Sequence, residues 1–213
     1  MHFVLVHGWG FDARFWTPLV ARLQNASVTR VDLGFIGRVF GGNVSEASSD
    51  WPEDAIVAGH SLGVSWLLKE GAKRCKGFVS MQGFDRFCPH VPEARVAALK
   101  RGLDRDPAGT MQAFWRSCGV SDFAATPALN VARLREGLDW LMHWDERAAK
   151  KALECPMLIL AARDDAIVPS AMTEAVWAER KILWSPSGGH VLPLSHPDWC
   201  ARHVLEFANS LPS

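Results

Sequence analysis

The 213-residue chain has no net charge, no tyrosine, no long apolar run and no tight cysteine spacing. Each absence removes a class of protein. With 23 basic and 23 acidic side chains, no overall charge drives binding to nucleic acid or a membrane surface, so attraction to an acidic partner needs a local patch. No stretch approaches the roughly 18 apolar residues that span a bilayer. The start, Met1-His2-Phe3-Val4, has neither a basic n-region nor a cleavage site, so the chain reads as one that stays in the cytoplasm. Five cysteines, an odd number, fit reduced thiols better than a disulfide framework or a zinc site. Ten tryptophans accompany the missing tyrosines, and core packing is their default use. No repeat or low-complexity tract appears. What remains, 48% hydrophobic and 22% charged, suffices for one substantial core and a single domain over 1–213.

The most informative stretch is Gly59-His60-Ser61-Leu62-Gly63. The apolar run Asp54 to Ala58 before it reads as a short buried strand, and Val64 to Lys73 after it has the composition of a helix. A serine on such a strand-to-helix turn has the form of a nucleophile elbow, with glycines removing the side chains that would collide where strand and helix pass. Its bland alternative is a chance loop serine between two turn-making glycines.

A serine hydroxyl is a poor nucleophile near neutral pH, so it needs a histidine to take its proton and a carboxylate to hold that histidine. The strand-like run Met157 to Ala161 leads into Ala162-Arg163-Asp164-Asp165-Ala166-Ile167-Val168-Pro169, where two aspartates compete. Asp165, four residues before Pro169, has the register of the acid; Asp164 is then a turn residue or a partner of Arg163. Among eight histidines, His190 sits in the turn-rich segment Ser185 to Leu194 and is the candidate base. His196 and His203 fall in the last helical region, His143 in a helical run, His90 beside Pro89 and His2 at the terminus, while the elbow turns His60 elsewhere. Phe3 to Val6 ends in His7-Gly8-Trp9-Gly10, a turn whose Trp9 N–H, with that of Leu62, supplies a candidate oxyanion hole; its alternative is a plain strand-ending turn.

Six strands are expected, at Phe3–Val6, Ser27–Asp32, Ala55–Ala58, Gly77–Met81, Met157–Ala161 and Lys181–Trp184. Helices at Phe15–Leu23, Val64–Arg74 and Pro197–Ser210 fall between or after them, which is how a mostly parallel sheet is wound. Residues 83–153, after the fourth expected strand, carry helix-like segments at Pro92–Asp104, Ala108–Cys118 and Ala128–Trp144, a helical insertion that reads as a cap. It is rich in arginine and aromatics, including Arg95, Phe114, Trp115, Arg116, Arg133 and Arg135. Either its apolar side chains wall a pocket, with Trp9, Phe114 and Arg116 as candidate substrate contacts, or they are inward faces of amphipathic helices, with Asp104, Asp106, Glu136 and Asp139 balancing charge.

In order, His-Gly-Trp-Gly, Gly-x-Ser-x-Gly, Asp-x-x-x-Pro and Gly-His resemble the α/β-hydrolases from residue 3 to about residue 205. Within them the chain most resembles the pimeloyl-[acyl-carrier protein] methyl ester carboxylesterases, through His7-Gly8-Trp9-Gly10-Phe11, Asp165-Ala166-Ile167-Val168-Pro169 and Ser195-His196-Pro197. The resemblance implies hydrolysis of a pimeloyl methyl ester on acyl carrier protein, with Ser61, Asp165, His190, Trp9 and Leu62 in the family's roles and no metal or organic cofactor. Lactone or carbon–carbon bond hydrolysis on the same fold, or a non-catalytic binding module, are the alternatives. Two departures stand out. The chain begins almost on the first strand, without the fold's opening hairpin, so a smaller sheet is expected; and Asp32-Leu33-Gly34-Phe35-Ile36-Gly37 lacks the proline of the family's Asp-x-Pro-Gly-x-Gly turn, which is mostly structural.

Overall fold

The computed structural model describes residues 1–37, 44–46, 51–70, 74–121, 123 and 128–212, with 44–46 as backbone alone. The first half runs β1 (His2–Val6), a 3-10 turn (Ala13–Trp16), α1 (Thr17–Val20), β2 (Ser27–Asp32), β3 (Val44–Glu46), β4 (Ile56–His60), α2 (Leu62–Glu70) and β5 (Gly77–Met81). Then come α3 (Glu93–Arg105), α4 (Pro107–Cys118), α5 (Val131–His143) and α6 (Arg147–Lys151). The chain ends with β6 (Met157–Ala162), α7 (Ser170–Val176), β7 (Ile182–Ser185), α8 (Leu192–Ser195) and α9 (Pro197–Ser210).

The strands form one seven-stranded sheet in the order β3-β2-β1-β4-β5-β6-β7, with every pairing parallel. The sheet thus holds the six expected strands and a short edge strand, Val44–Glu46, too brief to show a periodicity. Central strands β4 and β5 are buried at every residue, as strands covered on both faces must be, and this is why they read as unbroken apolar runs. The winding runs outward in both directions from β1 and β4. Ligands of such sheets bind at that reversal, beyond the carboxyl ends of the strands. Helix α2 packs on β4 and β1, α7 on β6, and α9 on both α1 and β6; right-handed crossovers, the rule for parallel strands, place helices on opposite faces where the winding reverses direction. No helix among the described residues is long and apolar enough to cross a membrane.

Helix boundaries follow local chemistry. Asp106 caps α4 by accepting the Gly109 N–H, Asn130 caps α5 by accepting that of Arg133, and Gly119, with φ of 93°, ends α4 in the left-handed conformation glycine favours. The expected helix Phe15–Leu23 is instead the 3-10 turn, capped by Asp12, followed by one turn of α-helix that starts at Thr17-Pro18, where Pro18 has no N–H to carry a helix on from the preceding turn. The helix expected to reach Arg74 is described to Glu70, and residues 71–73 lie outside the described residues.

Helices α3 to α6 occupy the chain between β5 and β6. The two stems of this segment meet: Arg86 bridges Asp145 in antiparallel fashion, the Glu146 N–H donates to Asp85 O at 2.8 Å, and Lys150 Nζ pairs with the buried Asp85 carboxylate at 2.6 Å. Two indoles then pin the segment to the turn after β1. Trp9 Nε1 donates to Leu134 O in α5, and Trp115 Nε1 donates from α4 to Gly10 O, both at 2.8 Å. Buried indole N–H groups need partners, and here each partner is a carbonyl of the other layer.

Candidate active site

Ser61 follows β4 directly and has φ of 52°, a left-handed conformation uncommon for a residue with a side chain. The close approach of strand and helix explains both glycines of the motif. A Cβ at Gly63 would lie 2.2 Å from Val6 O, and one at Gly59 would lie 2.6 Å from Val64 N. Leu62 opens α2, so its N–H belongs to the first turn, where helical amides have no partner within the helix. Among the described residues neither the Leu62 nor the Trp9 backbone N–H has a hydrogen-bond acceptor. Both follow carboxyl ends of neighbouring strands, β4 and β1, whose pairing sets Val6 beside Gly59.

Three side chains far apart in the chain converge here. Ser61 Oγ lies 2.9 Å from His190 Nε2, and His190 Nδ1 lies 2.8 Å from Asp165 Oδ2. All three residues are buried. The carboxylate acceptor puts the ring proton on Nδ1, which leaves Nε2 to accept the serine hydroxyl proton. Asp165 Oδ1 in turn accepts the N–H groups of Ile167 and Val168 at 2.8 and 2.9 Å, so its carboxylate is oriented by its own loop. Such a chain lets a hydroxyl shed its proton to an imidazole whose positive form a carboxylate steadies.

His190 rides on a loop rather than on a helix or strand, and polar groups grip that loop from several directions. Asp164 accepts the Gly189 and Gly188 N–H groups at 2.9 and 3.2 Å; it does not pair with Arg163, which meets Glu174 and lies over Trp184 instead. The buried Gln82 at the end of β5 uses its whole amide: Nε2 donates to Asp165 Oδ2 at 2.7 Å and to Gly189 O, while Oε1 accepts the Leu192 N–H at 2.9 Å. The His190 N–H donates to Cys118 O, the end of α4, at 3.1 Å. His60 does not turn away from the site, as its place in the elbow suggested. Its ring stacks on Phe15, and its Nε2–H donates to His190 O at 2.8 Å. His60 fills an unspecified position of the Gly-x-Ser-x-Gly motif and Gln82 belongs to no motif, its only hint being its place just past a strand end.

A cavity of about 470 Å³ opens on Ser61, with Trp9, Phe87, Val96, Phe114 and Ile167 in its mostly apolar wall. Trp9 and Phe114 meet edge to face, with ring centroids 4.6 Å apart. Arg116, expected at this pocket, is exposed and does not line it, because α4 turns its Phe114 face inward and Arg116 outward. Arg95 of α3 is the one charged side chain among the described residues lining the cavity. Lys100 pairs with Asp139, Arg133 with Glu136 and Arg135 with Asp104, so these cations are balanced locally. The Asp32 turn is structural: its carboxylate accepts the Gly34 and Ala13 N–H groups at 2.8 and 3.3 Å.

Gln82→Ala is expected to cost about 3 kcal/mol, since it strips partners from several buried polar groups at once. Denaturant unfolding checks this, and a loss within error of zero would show the loop stands without it. A second expectation concerns pH. Burial and the nearby His190 hold the His60 imidazole well below its ordinary value, so it stays uncharged in the fold. In the unfolded chain it titrates near its ordinary value of about 6.5. Its contribution is therefore complete above that value and drains away as the pH falls toward the depressed folded value, by up to about 1.4 kcal/mol per pH unit. The urea midpoint should drop between about pH 7 and about pH 5.5, and should drop less in His60→Asn; parallel profiles would assign the loss to another group.

The profile of the alpha/beta hydrolase family matches residues 3–203. The pimeloyl-[acyl-carrier protein] methyl ester esterase of Pectobacterium carotovorum is 26% identical over 239 residues, covering 97% of this chain and 94% of that one. The biotin biosynthesis bifunctional protein BioHC of Cellvibrio japonicus is 26% identical over 238 residues; 98% of this chain is covered, and it spans about half, 47%, of that longer protein. A solved hydrolase from Pseudomonas aeruginosa shares the fold, with a TM-score of 0.79 at 19% identity over 98% of this chain and 90% of that one. Because the family profile runs from the first strand into the last helix, the chain belongs to the alpha/beta hydrolase family.

Proposed function

We propose that the chain is a serine carboxylesterase that removes the methyl group from an acyl methyl ester, with pimeloyl-[acyl-carrier protein] methyl ester as its substrate. The observation that carries this reading is the unbroken hydrogen-bond chain from Asp165 through His190 to Ser61 at the floor of an apolar cavity. The curated relatives that bear this substrate in their names support the finer assignment. The cavity lies within the range of small-molecule sites and suits an aliphatic chain.

In this mechanism Ser61 Oγ attacks the ester carbonyl while His190 Nε2 takes its proton. The carbonyl oxygen becomes negative and rests on the Trp9 and Leu62 N–H groups. Collapse of the tetrahedral species breaks the bond to the methoxy oxygen, which leaves as methanol with the proton from His190. Water then gives a proton to the same Nε2, attacks the acyl-serine and releases the acid, restoring Ser61. Asp165 keeps the imidazole in the accepting tautomer and steadies its positive form. Helices α3 to α6 act as a cap that walls the acyl chain from water, with Phe114 and Trp9 against it. At the cavity, Arg95 meets the anionic phosphate through which a carrier protein would present the chain.

Ser61→Ala is expected to lower kcat by about 10⁴-fold or more on p-nitrophenyl butyrate and to abolish labelling by a fluorophosphonate. A variant as active as the wild type would overturn the serine mechanism. Methanol release from the methyl pimeloyl carrier protein, with rescue of a biotin auxotroph lacking its own esterase, tests the substrate. Failure of both, with ester turnover intact, would leave a generalist esterase. Arg95→Glu should raise KM for the carrier-bound ester about 10-fold while leaving the small free ester within about twofold. Equal losses on both would remove Arg95 from carrier recognition.

A further inference from the structure

At the far end of the sheet from Ser61, two cysteines separated by the whole helical insertion face each other. Cys75 Sγ and Cys155 Sγ lie 3.1 Å apart, each just before its strand, β5 or β6. These strands are neighbours, paired from Phe78 with Met157 to Met81 with Leu160. The ladder reaches almost to the cysteines, with the Phe78 N–H donating to Pro156 O at 3.0 Å, and the Lys76 N–H ties the segment after Cys75 to Ala55 O beside β4 at 2.9 Å. The sulfurs are therefore held together by the framework of the sheet. Cys75 is buried and Cys155 is half-buried, so a small reagent from solvent reaches Cys155 first. The remaining cysteines, Cys88, Cys118 and Cys200, are buried.

We propose that Cys75 and Cys155 form a dithiol modification site that reacts with hydroperoxides and closes to a disulfide. Cys155 is the attacking sulfur and Cys75 the resolving one. The Cys155 thiol releases its proton to solvent and the thiolate attacks the terminal peroxide oxygen; the O–O bond breaks, the leaving oxygen takes a proton from solvent and departs as alcohol or water, and the transferred hydroxyl leaves Cys155 as a sulfenic acid. Cys75 sulfur then attacks that of Cys155; the S–O bond breaks, hydroxide takes the Cys75 proton and leaves as water, and the S–S bond forms. Two thiols are oxidised to one disulfide while one hydroperoxide is reduced. The electrostatics agree with these roles. The hydrogen bond from Cys75 holds the Cys155 thiol below its ordinary range, with Arg180 adding to the effect, and the same bond together with burial pushes Cys75 up.

The consequence is topological. Helices α3 to α6 lie between the two cysteines, so the disulfide closes a ring around the whole insertion and ties its stems below the bridge of Arg86 with Asp145. Closing so long a loop constrains the unfolded chain, while the distant Ser61 and His190 are left as they were. The site does not depend on which ester the chain cleaves.

The test uses the full chain treated with hydrogen peroxide, then unfolded, alkylated and mapped by mass spectrometry. One disulfide joining residues 75 and 155 is expected, with the other cysteines alkylated and the reduced state restored by dithiothreitol. The oxidised chain should unfold at least about 5 °C higher and hydrolyse p-nitrophenyl butyrate within about twofold of the reduced rate. Phenylarsine oxide, which two adjacent thiols chelate with loss of water, should bind one per chain in the wild type and not in Cys75→Ser or Cys155→Ser; Cys75→Ala and Cys155→Ala serve if the serine variants fail to fold. Free thiols at both positions after oxidation, arsenical binding unchanged in the variants, or a disulfide to another cysteine would each overturn the proposal.

Discussion

His190 must touch Ser61 on one side and Asp165 on the other, yet it stands on a loop with two positive-φ glycines just before it and no ladder of its own. A loop of that kind has many conformations to lose, and only buried polar contacts can single one out. This loop has them on every side: Asp164 on two of its amides, Gln82 on a carbonyl and an amide, His60 on the carbonyl of His190 itself, and Cys118 O on its amide. The imidazole is thus placed through its backbone as well as through its two ring bonds.

These holding groups come from three strand ends and one helix end. Asp164 and Asp165 follow β6, Gln82 follows β5, His60 ends β4 and Cys118 ends α4. Parallel strands in register deliver their carboxyl ends to one edge, so groups from distant sequence meet there without long loops. Strain accompanies the arrangement. Ser61 and Gln82 both hold left-handed backbone, at φ of 52° and 55°, a cost of about 1–3 kcal/mol each that only a rigid surrounding can sustain. The fully buried strands β4 and β5 supply that rigidity.

The helical insertion is coupled to the same edge by direct bonds. Trp9 of the turn after β1 donates its indole N–H to the insertion at Leu134 O, Trp115 of the insertion donates its own back to Gly10 O of that turn, and α4 ends on the His190 amide. Helix α4, which lines the cavity through Phe114, thus contacts both the Trp9 turn and the histidine loop. Of ten tryptophans, these two show why composition alone says little: each is buried as a core residue, and each also has a polar end with a specific carbonyl to meet.

The sequence alone determined the strand order of appearance, the parallel class of the sheet and the identity of Ser61, Asp165 and His190 as candidates, since each sits in a short pattern of glycines, prolines and apolar runs that local chemistry makes readable. Edge strand Val44–Glu46 and the short helices at Arg147–Lys151, Ser170–Val176 and Leu192–Ser195 escaped because so few residues carry no period. Only the tertiary structure decided that Arg95 rather than Arg116 borders the cavity, that Asp164 grips the histidine loop, and that Gln82 and His60 buttress it. The reason is geometric: which way a helix faces and which strand ends lie side by side are set by packing between segments far apart in the chain, and no local pattern of residues records a neighbour that arrives only on folding.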